Sequence, residues 1–157
     1  MIFKNILRLT LLAMPLVWIS AAGAQAPVKF TTSELAIETA NGTHRFNVEL
    51  AVSPEEKSRG LMYRTAMAPD AGMLFIYDRD TVISMWMRNT LIPLDMLFIA
   101  ADGRIAHIAS RMVPRSDRTI SSRIRVRAVL ELNGGTVRRL GIAVGDQVDY
   151  PAFNPGR

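Results

Sequence analysis

Cysteine is absent from the 157 residues, and histidine occurs only at His44 and His107. The first absence excludes disulfide frameworks, thiolate zinc sites, iron–sulfur clusters, cysteine nucleophiles and lipid attachment through a thiol. Aromatic residues make up 7% and charged residues 21%, against 49% hydrophobic. That balance excludes a disordered chain and suits one ordinary domain. No G-x-S-x-G, P-loop, dinucleotide fingerprint, H-E-x-x-H or EF-hand loop can be read, which removes the common hydrolase, nucleotide and metal templates. Asp78-Arg79-Asp80 lacks the glycine and distal glutamate of a calcium loop and reads as a hairpin turn.

A long hydrophobic run is also missing. The longest, Leu9 to Ile19, falls short of the roughly 20 residues of a membrane-spanning helix. Lys4 and Arg8 precede it, and the small residues Ser20 to Ala26 follow, which is the three-part layout of a secretory signal peptide. Ala22-Gly23-Ala24 and Ala24-Gln25-Ala26 both fit the cleavage pattern, but the second would place Pro27 beside the cut bond. Residues 1–24 are therefore expected to be a signal peptide and residues 25–157 a single soluble domain, exported to the periplasm or secreted. A chain without thiols suits an oxidising compartment.

Charge is unevenly spread. The full chain carries +5, and removal of Lys4 and Arg8 leaves +3. Between Arg104 and Arg139, 9 arginines face only Asp117 and Glu131. Outside the cytoplasm such a basic strip points to anionic glycans, lipid headgroups or phosphates rather than nucleic acid. The plainer alternative is a solvated arginine face.

Most of the rest reads as strands. Leu35–Thr39 and Phe46–Val52 flank Asn41-Gly42, a strong hairpin signal. Ser53-Pro54-Glu55-Glu56 is a capping box with proline at the first helical position, and Gly60 supplies a stop, so a short helix is expected over 54–59. Met73–Tyr77, Val82–Met87, Leu94–Ala100 and Arg104–Met112 follow as short strands, then a loop at Pro114–Asp117. From Arg123, arginines alternate with Ile124, Val126 and Ala128. Asn133 to Gly141 reads as a short helix between glycines, and Gln147–Tyr150 as a last strand. About eight short strands and two small helices predict an all-β fold, an antiparallel β-sandwich or partly closed barrel.

Four strings in this order carry a family resemblance: Gly60-Leu61-Met62-Tyr63-Arg64; Gly72-Met73-Leu74-Phe75; Trp86-Met87-Arg88-Asn89-Thr90-Leu91-Ile92-Pro93-Leu94-Asp95; and Leu130-Glu131 with Gly134-Gly135 and Gly145-Asp146. Over about residues 46–150 the chain resembles the family called domain of unknown function 192. The resemblance implies a small, often exported, all-β domain and supplies no activity.

The residues themselves offer three chemistries. Arg64, Arg88, Asn89, Asp95 and Glu131 are polar groups set in apolar sequence, and Asp95 shares strand parity with Leu97 and Ile99. A buried carboxylate needs a partner, and Arg64 or Arg88 is the expected one. With Trp86 as an apolar platform and the amides of Gly134 and Gly135 nearby, this set is expected to bind a small polar or anionic ligand of the cell envelope without catalysis. A hydrolase using Asp95 and Glu131 as a carboxylate pair is one alternative. The methionines Met62, Met67, Met73, Met85, Met87, Met96 and Met112 suggest another, a Cu(I) site of Met85 and Met87 with His44 or His107; core filling is their plainer role. Otherwise no cofactor is expected.

Overall fold

The computed structural model describes residues 28–153, so the segment read as a signal peptide lies outside the described residues. Two residues at a tight turn, Ala40 and Asn41, join β1 (Thr31–Thr39) to β2 (Gly42–Ala51), and Gly42 takes the positive φ of 119° that the turn demands. α1 (Pro54–Arg59) is capped as its sequence requires: Ser53 Oγ accepts from the Glu56 N–H at 3.2 Å, and Glu56 Oε2 accepts from the Ser53 N–H at 2.8 Å. β3 (Ala71–Met85), β4 (Leu94–Ile99), β5 (Ile105–Met112) and β6 (Ile120–Asn133) follow, then α2 (Thr136–Leu140), β7 (Gln147–Asp149) and a 3-10 turn at Pro151–Phe153.

These seven strands form one curled sheet in the order β5-β4-β6-β3-β2-β1-β7. Its two edges meet at one end only. There an Arg104–Gln147 bridge and hydrogen bonds from Ile105 N–H to Asp146 O (2.9 Å) and from Val148 N–H to Gly103 O (2.8 Å) link β5 to β7. The result is a half-barrel, the partly closed alternative, and not two stacked sheets. β2 and β3 run parallel, because the α1-containing segment 52–70 carries the chain back to the start of the sheet. Every other strand pairing is antiparallel.

Both faces of the central strands are covered. Leu74, Leu97, Ile99, Leu130 and Leu132 pack with β1, β2 and β7 on the enclosed face. Met73, Phe75, Met96, Phe98 and Val129 pack on the other face, beneath Leu61, Ile83 and Met87. This double burial explains why all six residues of β4 are inaccessible and why its sequence lacks alternation.

Two expectations fail for one reason, irregular register. Asp78-Arg79-Asp80 is no hairpin; it bulges from a single long β3, whose pairing with β6 jumps between Ile76 and Thr81. Asp80 Oδ1 accepts from Arg127 Nε at 2.7 Å, which anchors the bulge. Ile124 does not face inward but is 48% exposed, because Arg123 adopts φ 64° and interrupts the alternation.

Candidate functional site

Glu131 stands in a row that crosses four neighbouring strands: Glu49, Met73, Glu131 and Met96 are successive partners. Partners in a ladder share a face, so Glu131 points away from the enclosed core and toward Phe75 and Leu61. β3 and β6 approach closely here because residue 72 is glycine. A Cβ there would lie 2.7 Å from the Glu131 carbonyl oxygen.

Above this row the turn after α1 and the end of β3 leave a cavity of about 270 Å³, lined by Leu61, Phe75, Tyr77, Met85, Trp86 and Glu131 among others. Gly60 contributes to its wall, since a Cβ at that position would meet the Phe75 ring at 3.2 Å. Among the described residues, Glu131 makes no hydrogen bond and no ion pair, although it is only 4% exposed. Every fully enclosed side-chain nitrogen or oxygen described does have a partner. The Glu131 carboxyl must therefore touch the cavity. Burial pushes its pKa up to about 8, so it is an uncharged acid at neutral pH, able to donate one hydrogen bond and accept others. Tyr77 is raised as well, first by burial and then by the Glu131 charge, and its hydroxyl lies 4.0 Å from Met85 Sδ. Lys57 Nζ sits 4.6 Å from the centre of the Tyr77 ring.

The expected arginine–carboxylate pairing does not form. Arg64 binds Glu49, the less buried carboxylate of the same row. Arg88 binds Asp117 at 2.7 Å and lies 5.4 Å over the Trp86 ring, covering one face of an indole that is 47% exposed. Asn89, at φ 56°, supports the turn above the cavity: its carbonyl accepts from the Tyr63 N–H at 2.8 Å, and its Nδ2 approaches Met62 Sδ at 3.9 Å.

Asp95 is inaccessible, as strand parity suggested, but its partners are backbone amides. Oδ1 accepts from the Arg111 N–H at 2.7 Å, and Oδ2 from the Gly135 and Val137 N–H groups at 2.9 Å each. Its ladder partner is Leu132, whereas that of Met96 is Glu131. Asp95 and Glu131 thus occupy opposite faces of the sheet, and the carboxylate pair needed for the hydrolase alternative does not assemble. Gly134 packs on Pro93, while Gly134 and Gly135 line a separate depression with Arg111, Arg138 and Arg139. Of the eight residues expected to form one ligand site, only Trp86 and Glu131 line this cavity.

The proposed copper ligands are likewise dispersed. Met85 lines the Glu131 cavity, Met87 and His107 line a different one, and His44 lies beside Thr39 on the first hairpin. His107 stacks on Phe98 with ring centres 5.5 Å apart. Among the described residues no three His, Asp or Glu side chains cluster in a way that could hold a metal ion. Lys57 and Tyr77 line the cavity without having been singled out by the sequence, whereas Met62 lines it as one of the methionines weighed there. Tyr77 was accessible to a sequence reading, because it shares parity with Met73 and Phe75.

Comparison with known proteins fits this picture. A family model for domain of unknown function 192, described as an uncharacterized group, matches residues 36–150. A crystal structure from Sinorhizobium meliloti 1021, of a protein suggested by its description to be a transcription regulator, is 48% identical; the match covers 81% of this chain and 99% of that one, with a TM-score of 0.78. A protein of unknown function from Novosphingobium aromaticivorans DSM 12444 is 38% identical over 83% of this chain and 94% of its own, with a TM-score of 0.76. No curated protein matches. By the extent of the family match and by these two relatives, the chain belongs to the domain of unknown function 192 family.

Proposed function

We propose that this is an exported, non-catalytic binding protein whose site is the cavity between Glu131 and Trp86, and whose ligand is a small, uncharged, polar molecule of the cell envelope with one apolar face. The observation that carries this reading is the Glu131 carboxyl: it is buried, lacks a protein partner and reaches a cavity with largely apolar walls. A buried polar group without a partner is costly, and a ligand carbonyl or hydroxyl would supply the missing hydrogen bond. The wall combines Leu61, Met62, Phe75, Met85 and Trp86 with the polar side chains of Lys57, Arg59 and Tyr77, a mixed composition that suits a small polar molecule with one apolar face. Binding is favoured over catalysis because the lining holds one carboxyl and no imidazole, and none of its serine, threonine or tyrosine hydroxyls is hydrogen-bonded to Lys57 or Glu131 as an activated nucleophile would be. Export is supported by the layout of residues 1–24.

Native mass spectrometry with added N-acetylated sugars tests the reading. The wild type is expected to retain one small neutral adduct, and Trp86→Ala and Glu131→Leu are each expected to lose it. An adduct that survives both substitutions would move binding elsewhere, and a bare mass at every sugar concentration would remove this ligand class.

A further inference from the structure

We infer that the depression over Gly134-Gly135, bounded by Arg111, Arg138 and Arg139, is a second binding site, and that it takes a phosphate group carried by a small molecule or a lipid headgroup. It has a volume of about 570 Å³, shares no lining residue with the Glu131 cavity and contains no acidic residue in its wall. Arg45, Arg64, Arg88, Arg104 and Arg127 each face a carboxylate. Arg111, Arg138 and Arg139 are among the nine described arginines that do not, and what sets these three apart is that they line one hollow together.

Their arrangement is set by the buried Asp95. One of its oxygens holds the Arg111 N–H at the end of β5, and the other holds the Gly135 and Val137 N–H groups where β6 passes into α2. A single carboxylate thus ties together the two segments that carry the guanidinium groups, and it keeps Arg111 at its positive φ of 53°. The Gly135 and Val137 amides are spent on Asp95, and the attraction proposed for an anion rests on the guanidinium groups rather than on the helix end. Glycine at 135 matters as well. Its φ of 97° is one that side-chain-bearing residues rarely adopt, and a Cβ there would just fill the space up to Arg111 Nε at 3.7 Å, so the fork lies about one methyl group above the turn.

Guanidinium forks match the oxygens of a phosphate in pairs, and three of them around one hollow suit a dianionic monoester better than a single carboxylate. Because the two segments are already tied together, less ordering is required when the anion arrives.

The test uses the full chain with three probes: glycerol phosphate in calorimetry, vesicles containing phosphatidic acid, whose headgroup is a phosphate monoester, against phosphatidylcholine alone in co-sedimentation, and a short DNA duplex. Arg111→Gln and Arg138→Gln are compared with Arg45→Gln as a surface control. The wild type is expected to bind glycerol phosphate, the anionic vesicles or both, more weakly as salt rises. Arg111→Gln and Arg138→Gln should each weaken that binding about tenfold with unchanged thermal midpoints, while Arg45→Gln and Trp86→Ala leave it intact. Binding of glycerol phosphate identifies a soluble ligand, and binding of vesicles alone identifies a headgroup. Failure of both phosphate probes, equal loss in Arg45→Gln, or tight binding confined to the DNA duplex would overturn the proposal.

Discussion

Between pH 4.5 and about 8 the folded protein is expected to lose stability progressively, at a slope approaching 1.4 kcal/mol per pH unit. Glu131 releases its proton near 4.5 when the chain is unfolded but holds it to about 8 when folded, because burial penalises the anion. Within that window the native state binds more protons than the unfolded state, so the contribution is complete below 4.5, declines through the window and is flat above 8. Integrated, the loss is on the order of 5 kcal/mol, a large part of the margin of a small domain. Glu56 acts in the opposite sense: the Ser53 and Val52 amides lower its pKa, so what it contributes disappears only as pH falls below the ordinary carboxylate range. Urea denaturation across pH for wild type and Glu131→Gln reads the effect as a difference, in which the other titrating groups cancel. Wild type should show the decline and Glu131→Gln should lack it; parallel profiles would contradict the account.

Asp95→Ala is expected to lower stability by roughly 3–5 kcal/mol, equivalent to ~10–20 °C in the thermal midpoint. It removes the acceptor for three N–H groups whose segments do not regain another, and unpaired buried donors cost about 1–3 kcal/mol each without adding fully. Asp95→Asn should be nearly as harmful. An amide retains one acceptor oxygen, so its nitrogen must face either the Arg111 N–H or the Gly135 and Val137 pair. Thermal unfolding followed by circular dichroism measures both variants. A wild-type midpoint for Asp95→Asn would show that the carboxylate does not hold these segments together.

Local rules recovered much of the fold and little of the site. Asn41-Gly42 and the Ser53–Glu56 box act within a few residues; the structure realises the box in place and the hairpin one residue earlier, with Ala40 and Asn41 at the turn and Gly42 opening β2. Inward orientation of Asp95 was legible from parity with Leu97 and Ile99. Its partners were not, because the three amides lie 16, 40 and 42 residues away, and backbone donors leave no mark in composition. Whether Asp95 and Glu131 share a face depends on the β4–β6 register, and two apolar strands buried on both sides carry no alternation that fixes it. The long β3 was hidden for a related reason: the polar Asp78-Arg79-Asp80 bulge looks like a turn until Arg127 is found opposite it. A site imagined as one cluster therefore divides into an apolar cavity around Glu131 on one face and an arginine-ringed depression tied to Asp95 from the other.

The most direct test is a carbon-detected NMR titration of the Glu131 side-chain carboxyl in the ligand-free protein, with the Trp86 indole observed in parallel. A carboxyl that ionises at about 8, with the Trp86 indole responding at the same pH, is the predicted result. Ionisation in the ordinary range near 4.5 would mean that Glu131 is solvated or already partnered, and the cavity would hold no waiting hydrogen-bond donor.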